Sequence, residues 1–164
     1  MAVTPTGIAS LPLKHLRDQL SESSAFQAEV GAANAAAALA FIHYVASATT
    51  APPLAVVDFG DRLSFARQAR GSRNFPLQQG EVFLTLRFAI TAGDTEAEAG
   101  LRFMNVVGAI VADLWGTAGR AGFLDLDQVV QESPPSRPPV KEAKSKGDFY
   151  QVTFVLGYEG GVVA

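Results

Sequence analysis

The chain has 164 residues and a mass of 17.3 kDa, enough for one domain with a substantial core and too little for two comfortable ones. It contains no cysteine, which excludes disulfides, thiolate metal sites, iron–sulfur clusters and cysteine nucleophiles. Hydrophobic residues at 48% against 18% charged fit a folded chain, and 13 basic against 16 acidic side chains argue against indiscriminate nucleic-acid binding.

The opening residues, rich in Thr, Pro, Gly and Ser, predict a flexible N-terminal arm over 1–11 with no secretory signal. A helix is expected from Pro12, with Leu13, Leu16 and Leu20 on one face and Lys14, Arg17 and Asp18 outward. Ser21 to Ser24 interrupts it. Phe26 and Val30, one turn apart, belong to a second short helix that ends at Gly31. Ala32 to Leu39 is helix-favourable by propensity, and Phe41 to Val45, aromatic and β-branched, reads as a strand. The Ala-rich stretch from Ala32 to Ala48 carries Asn34, His43 and Ser47 and is not a membrane span. The chain is expected to be soluble and cytoplasmic when made.

Leu54 to Phe59 predicts a short strand closed by Gly60-Asp61. Residues 61–80 have poor hydrophobic periodicity and read as a long hairpin arm or a loop. Glu81 to Thr91 is a strong strand, because Val82, Leu84, Leu86, Phe88 and Ile90 alternate with a mixed set. Thr95 to Glu98 has capping-box spacing and opens a helix running to Gly116 or Gly119. Along it, Leu101, Met104, Gly108, Val111 and Trp115 form one stripe, with Val107 and Leu114 beside it. Phe123 to Val130 predicts a further strand. A stiff, exposed Pro-rich loop follows over 133–146, and Phe149 to Tyr158 closes the chain as a strand. Strands separated by a single long helix predict an α+β fold. Its antiparallel-rich sheet carries the long helix and the N-terminal helix on one side.

Catalytic constellations are sparse. His15 sits on a polar helix face and His43 in an aromatic strand, with no metal-ligand spacing between them. Asp58-Phe59-Gly60 matches the kinase magnesium tripeptide by letters alone, without a catalytic loop, strand lysine or Gly-rich loop to accompany it. Asp125 and Asp127 share a strand face with no further acidic cluster nearby, which favours a solvated face over a cation site. No phosphate cradle and no nucleophile elbow occurs. The expectation is a protein with no catalytic residue, no metal and no cofactor.

Two basic segments remain: Arg62, Arg67, Arg70 and Arg73, and then Arg137, Lys141, Lys144 and Lys146. The first lacks the aromatic spacing of a base-stacking surface, and the second follows the proline run. Arg is enriched at protein interfaces, and a segment as long as 61–80 without a core pattern is usually functional. These eight residues are the candidate contacts with neighbouring protein subunits.

Several segments together resemble the tail terminator (tail completion) proteins of long-tailed bacteriophages. They are Ser24 to Gly31, Phe41 to Tyr44, Pro53 to Val57, Gly80 to Leu86 before a long helix, and the closing Phe149 to Phe154. The resemblance lies in spacing and residue type over most of the chain. It implies a homo-oligomeric ring, usually hexameric, on the head-proximal end of the tail tube. Such a ring stops tube polymerisation and presents the docking surface for the head connector and other neck proteins. It also implies a virion location after assembly in the host cytoplasm, no membrane, and genomic DNA passing through the lumen without specific binding. The neighbouring possibilities are another head–tail joining protein, such as a head-closure or adaptor protein, and a tail tube subunit. A small-molecule-binding α+β domain is the distant one.

Overall fold

The computed structural model describes residues 10–44, 51–70, 73–120, 122–132, 134–137 and 148–161; for 65–70, 73–78, 160 and 161 it describes the backbone alone. Its N-terminal layer is three helices, α1 (Leu11–Ser21), α2 (Ser24–Val30) and α3 (Ala35–Ala38). Pro12 sits in the first turn of α1, where its missing N–H has no partner to lose, and Leu13, Leu16 and Leu20 are buried. The Ser23 hydroxyl caps α2 by accepting from the Phe26 amide, and Gly31 ends it in the left-handed conformation (φ 68°). The Ala-rich stretch forms only the single turn α3, which begins where the Asn34 side chain accepts from the Ala37 amide.

The expected strand at Phe41 to Val45 shrinks to β1 (Ile42–His43), because Leu39–Phe41 closes into a 3-10 turn instead; Val45 lies outside the described residues. The strand expected to stop at Gly60-Asp61 does not stop there. It continues as β2 (Leu54–Arg70) and pairs antiparallel with β3 (Arg73–Ala89). Register shifts between Phe59 and Leu63, so Gly60, Asp61 and Arg62 bulge opposite Glu81. A Cβ at Gly60 would meet the Glu81 backbone at 2.5 Å, which explains the glycine as a close approach within a bulge rather than as strand punctuation.

The long helix α4 (Glu96–Thr117) starts on the expected capping box. The Glu98 amide donates to the Thr95 hydroxyl and the Thr95 amide donates to the Glu98 carboxylate. The Thr95 hydroxyl also donates to the Glu98 carboxylate at 2.7 Å, and this bond first, then the one from the Thr95 amide, holds the exposed Glu98 carboxyl below its ordinary value. The chain then forms β4 (Leu126–Gln131), three residues later than expected, and β5 (Phe149–Gly161).

The sheet order is β1-β2-β3-β5-β4, antiparallel throughout except for the short parallel β1–β2 pair. Registered rows such as Val57, Leu84 and Phe154 point to one face. There they meet the buried leucines of α1, Phe26 and Val30 of α2, and Phe103, Val107, Ile110 and Leu114 of α4. The opposite face carries Val56, Thr85 and Thr153 in register, with the two threonine hydroxyls 2.9 Å apart, and the Arg87 guanidinium donating to Gln151 at 3.0 Å. The expected fold class, an antiparallel-rich α+β sheet with the long helix and the N-terminal helix on one side, is the one observed.

Candidate interface surfaces

The face that α4 turns to the core is not the stripe expected from the sequence. Ala99, Phe103, Val107, Ile110, Leu114 and Thr117 are buried, whereas Leu101 is 67% exposed, Trp115 43% and Met104 37%. Gly108 is also exposed, and only Val111 of that stripe is half-buried against the core. Both sets recur with helical spacing because α4 is apolar nearly all round, so periodicity alone could not choose between them. The exposed set follows a 3-4-3-4 spacing, the a/d spacing of a seam that packs against another element. From Leu101 to Trp115 it runs about 21 Å at 1.5 Å per residue. A Cβ at Gly108 or Gly116 would meet nothing within 4 Å, so backbone as well as side chain is open to a neighbour on this face.

The second surface is the hairpin formed by the outer halves of β2 and β3. Leu63↔Gly80 through Arg70↔Arg73 pair without further irregularity, so the described residues of 61–80 form a hairpin arm by their backbone. The strand β5 accompanies it as far as Leu77↔Gly161; beyond that row, among the described residues, only β2 and β3 pair. A two-stranded ribbon is marginal by itself in water, so its end is a segment suited to packing on another surface. Pro76 stands in that outer part, opposite Arg67, where a missing strand N–H is tolerated.

The eight basic candidates separate into four groups. Arg62 lies in the bulge with its side chain 83% exposed and only a loose 3.8 Å approach to Glu81. Arg67, Arg70 and Arg73 lie along the outer arm by backbone register, with Arg70 and Arg73 directly opposed at its end. Arg137 instead donates to Asp148 at 2.6 Å, next to the isolated bridge between Ser136 and Gln151. It thus ties the start of the Pro-rich segment to the start of β5. Lys141, Lys144 and Lys146, together with most of that Pro-rich loop and residues 1–9 of the N-terminal arm, lie outside the described residues.

The remaining sequence candidates are dispersed. His15 is half-buried on α1, its pKa lowered first by burial and then by Lys14, against an opposing effect of Asp18. His43 lies on β1 at the sheet edge, and Asp58 accepts from the Phe59 amide. Asp125 precedes β4 and is exposed. Asp127 lines a shallow hollow of about 260 Å³ at the base of the arm, together with Arg62, Glu81 and Glu159. Among the described residues no group of three or more His, Asp or Glu side chains could hold a metal ion, and no helix is long and apolar enough to cross a membrane.

Sequence reasoning missed one polar junction entirely. The Asp113 carboxylate, from the C-terminal part of α4, accepts from the hydroxyls of Ser23 (2.8 Å) and Ser24 (3.3 Å) and from the Ala25 amide (3.1 Å). It thereby supplies a negative charge to the N-terminus of α2. Gln19 of α1, fully buried, donates to the Leu114 carbonyl at 2.9 Å and ties the other flank of the same helix. Nothing local marks either contact, because each joins residues some ninety positions apart.

No protein-family model matches the chain, and no curated protein matches it.

Proposed function

We propose that this chain is a bacteriophage virion structural protein, a tail terminator. It assembles as a ring on the head-proximal end of the tail tube, stops tube growth and offers the docking surface for the neck of the head. The observation that supports this most is one domain with two surfaces suited to neighbours: the exposed apolar seam of α4 and the arm that outruns its own sheet. Two different surfaces engaging each other make a heterologous contact, and such contacts generate closed rings when the rotation closes. The fold fits the resemblance read from the sequence, and the acidic balance suits a conduit, since carboxylates on a lumen repel phosphate and let DNA slide.

The test is the assembly state of the purified protein. Light scattering should give a mass of several copies, and negative-stain electron microscopy should give discrete rings of one diameter. Long tubes would transfer the chain to the tube subunits, and a monomer at every concentration would end the proposal.

A further inference from the structure

A cleft of about 180 Å³ lies where α2, the end of β3, the turn after it, α4 and β5 meet. Its walls are aromatic: Phe88, Phe103 and Tyr150 follow one another with ring centroids 6.0 and 5.5 Å apart. Three charges line it, Glu29, Asp94 and Arg102. Arg102 donates to one oxygen of Asp94 at 3.0 Å, which leaves the other oxygen, Oδ2, buried with no hydrogen-bond partner. The Glu29 carboxylate makes no hydrogen bond or salt bridge with any described residue. Burial pushes its carboxyl above the ordinary value, opposed only by Arg102. The cleft therefore holds two carboxylates against one guanidinium, with an unmet acceptor and aromatic faces. Such a site is complementary to one further cation on a long stem, for which rings and carboxylates both supply attraction.

The chain concentrates such cations at one place. Arg67, Arg70 and Arg73 lie on the outer arm, and Arg70 and Arg73 occupy directly opposed register positions. Geometry forbids the arm from serving its own cleft. Arg73 and Ala89 are the two ends of β3, sixteen residues apart, which is roughly 50 Å at about 3.3 Å per residue.

We infer that the cleft bounded by Glu29, Asp94 and Tyr150 receives the basic end of the arm, marked by the opposed positions Arg70 and Arg73, of a second copy of this chain, an inference that rests on the ring proposed above. The donor and the receptor lie at opposite ends of the sheet, so each copy gives at one end and takes at the other. That is the head-to-tail arrangement a closed ring requires.

Charge exchange tests it. Glu29→Arg should raise the protein concentration needed for half-assembly about tenfold or more, as breaking a desolvated charge pair does. The double variant Arg70→Glu with Arg73→Glu should do the same, each with an unchanged urea midpoint for the separated subunit. Combining both sets in one chain should restore assembly to within about threefold of the wild type, because the pair is re-formed with its signs reversed. Where Glu29→Arg does not fold, Glu29→Gln replaces it and should weaken assembly in the same direction. Wild-type rings that persist unchanged in the cleft variants overturn this inference and leave the ring intact. An unassembled wild type overturns both. Arm variants that lose salt-dependent binding to duplex DNA while still assembling normally assign the arm's arginines to phosphate and also overturn it.

Discussion

Asp113 joins a half-buried position on α4 to three donors at the start of α2. Burial raises its carboxyl, but the hydrogen bonds from Ala25, Ser23 and Ser24 together outweigh that, and the net position is below the ordinary aspartate value. A carboxylate whose folded pKa is depressed contributes stability above its unfolded pKa and loses it as pH falls through the folded one. Asp113→Ala should therefore lower stability by about 1–2 kcal/mol at neutral pH, the usual effect of losing a helix-terminal acceptor. Urea denaturation at neutral and acidic pH checks both points: the gap between wild type and variant should narrow as the carboxyl protonates. The break at Ser21 to Ser24, and a second short helix after it, were legible from the serine run and the one-turn spacing of Phe26 and Val30. Asp113 was not, because its role depends on a helix that arrives ninety residues later.

Among the elements, α4 divides most sharply into what pattern does and does not determine. Its start was legible, since Thr95 and Glu98 satisfy each other's neighbouring amides at a fixed spacing. Its inward face was not, since Phe103, Val107, Ile110 and Leu114 compete with Leu101, Met104 and Trp115 on equal terms of hydrophobicity. The two faces should respond differently to mutation. Leu114→Ala, at a fully buried position, should destabilise the subunit by about 2–5 kcal/mol. Leu101→Ser with Trp115→Ser should change subunit stability by only about 0.5 kcal/mol but weaken self-association. Urea midpoints read the first effect and light scattering the second. A large stability loss from the exposed pair would mean that the seam packs within its own chain. The arm is the complementary case. Poor periodicity in 61–80 signalled a segment outside the core, but its continuation of β2 through a bulge at Gly60 follows from pairing with β3, which no local pattern specifies.

At the scale of the whole molecule, a two-layer domain carries an uncovered apolar helix face and an arm that extends past its own sheet. In the ring proposed above, both surfaces gain an occupant that the isolated subunit lacks. Partners that bind the folded state raise its apparent stability by mass action. The thermal midpoint should therefore rise with protein concentration, by several degrees over a hundredfold range, and this dependence should vanish in the Leu101→Ser, Trp115→Ser variant. A midpoint independent of concentration in the wild type would contradict assembly through these surfaces.

The sequence by itself determined the class of fold, the order of elements and the apolar sides of β3 and β5, because alternation and capping are local properties of neighbouring residues. It also marked which segment stands outside the core, since residues 61–80 lack the periodicity that burial demands. Tertiary structure alone decided which side of α4 is inside, where β2 ends, and that Glu29, Asp94 and Arg102 face one another across an aromatic cleft. Each of these depends on contacts between residues distant in sequence, and their free energy exists only once the elements have packed.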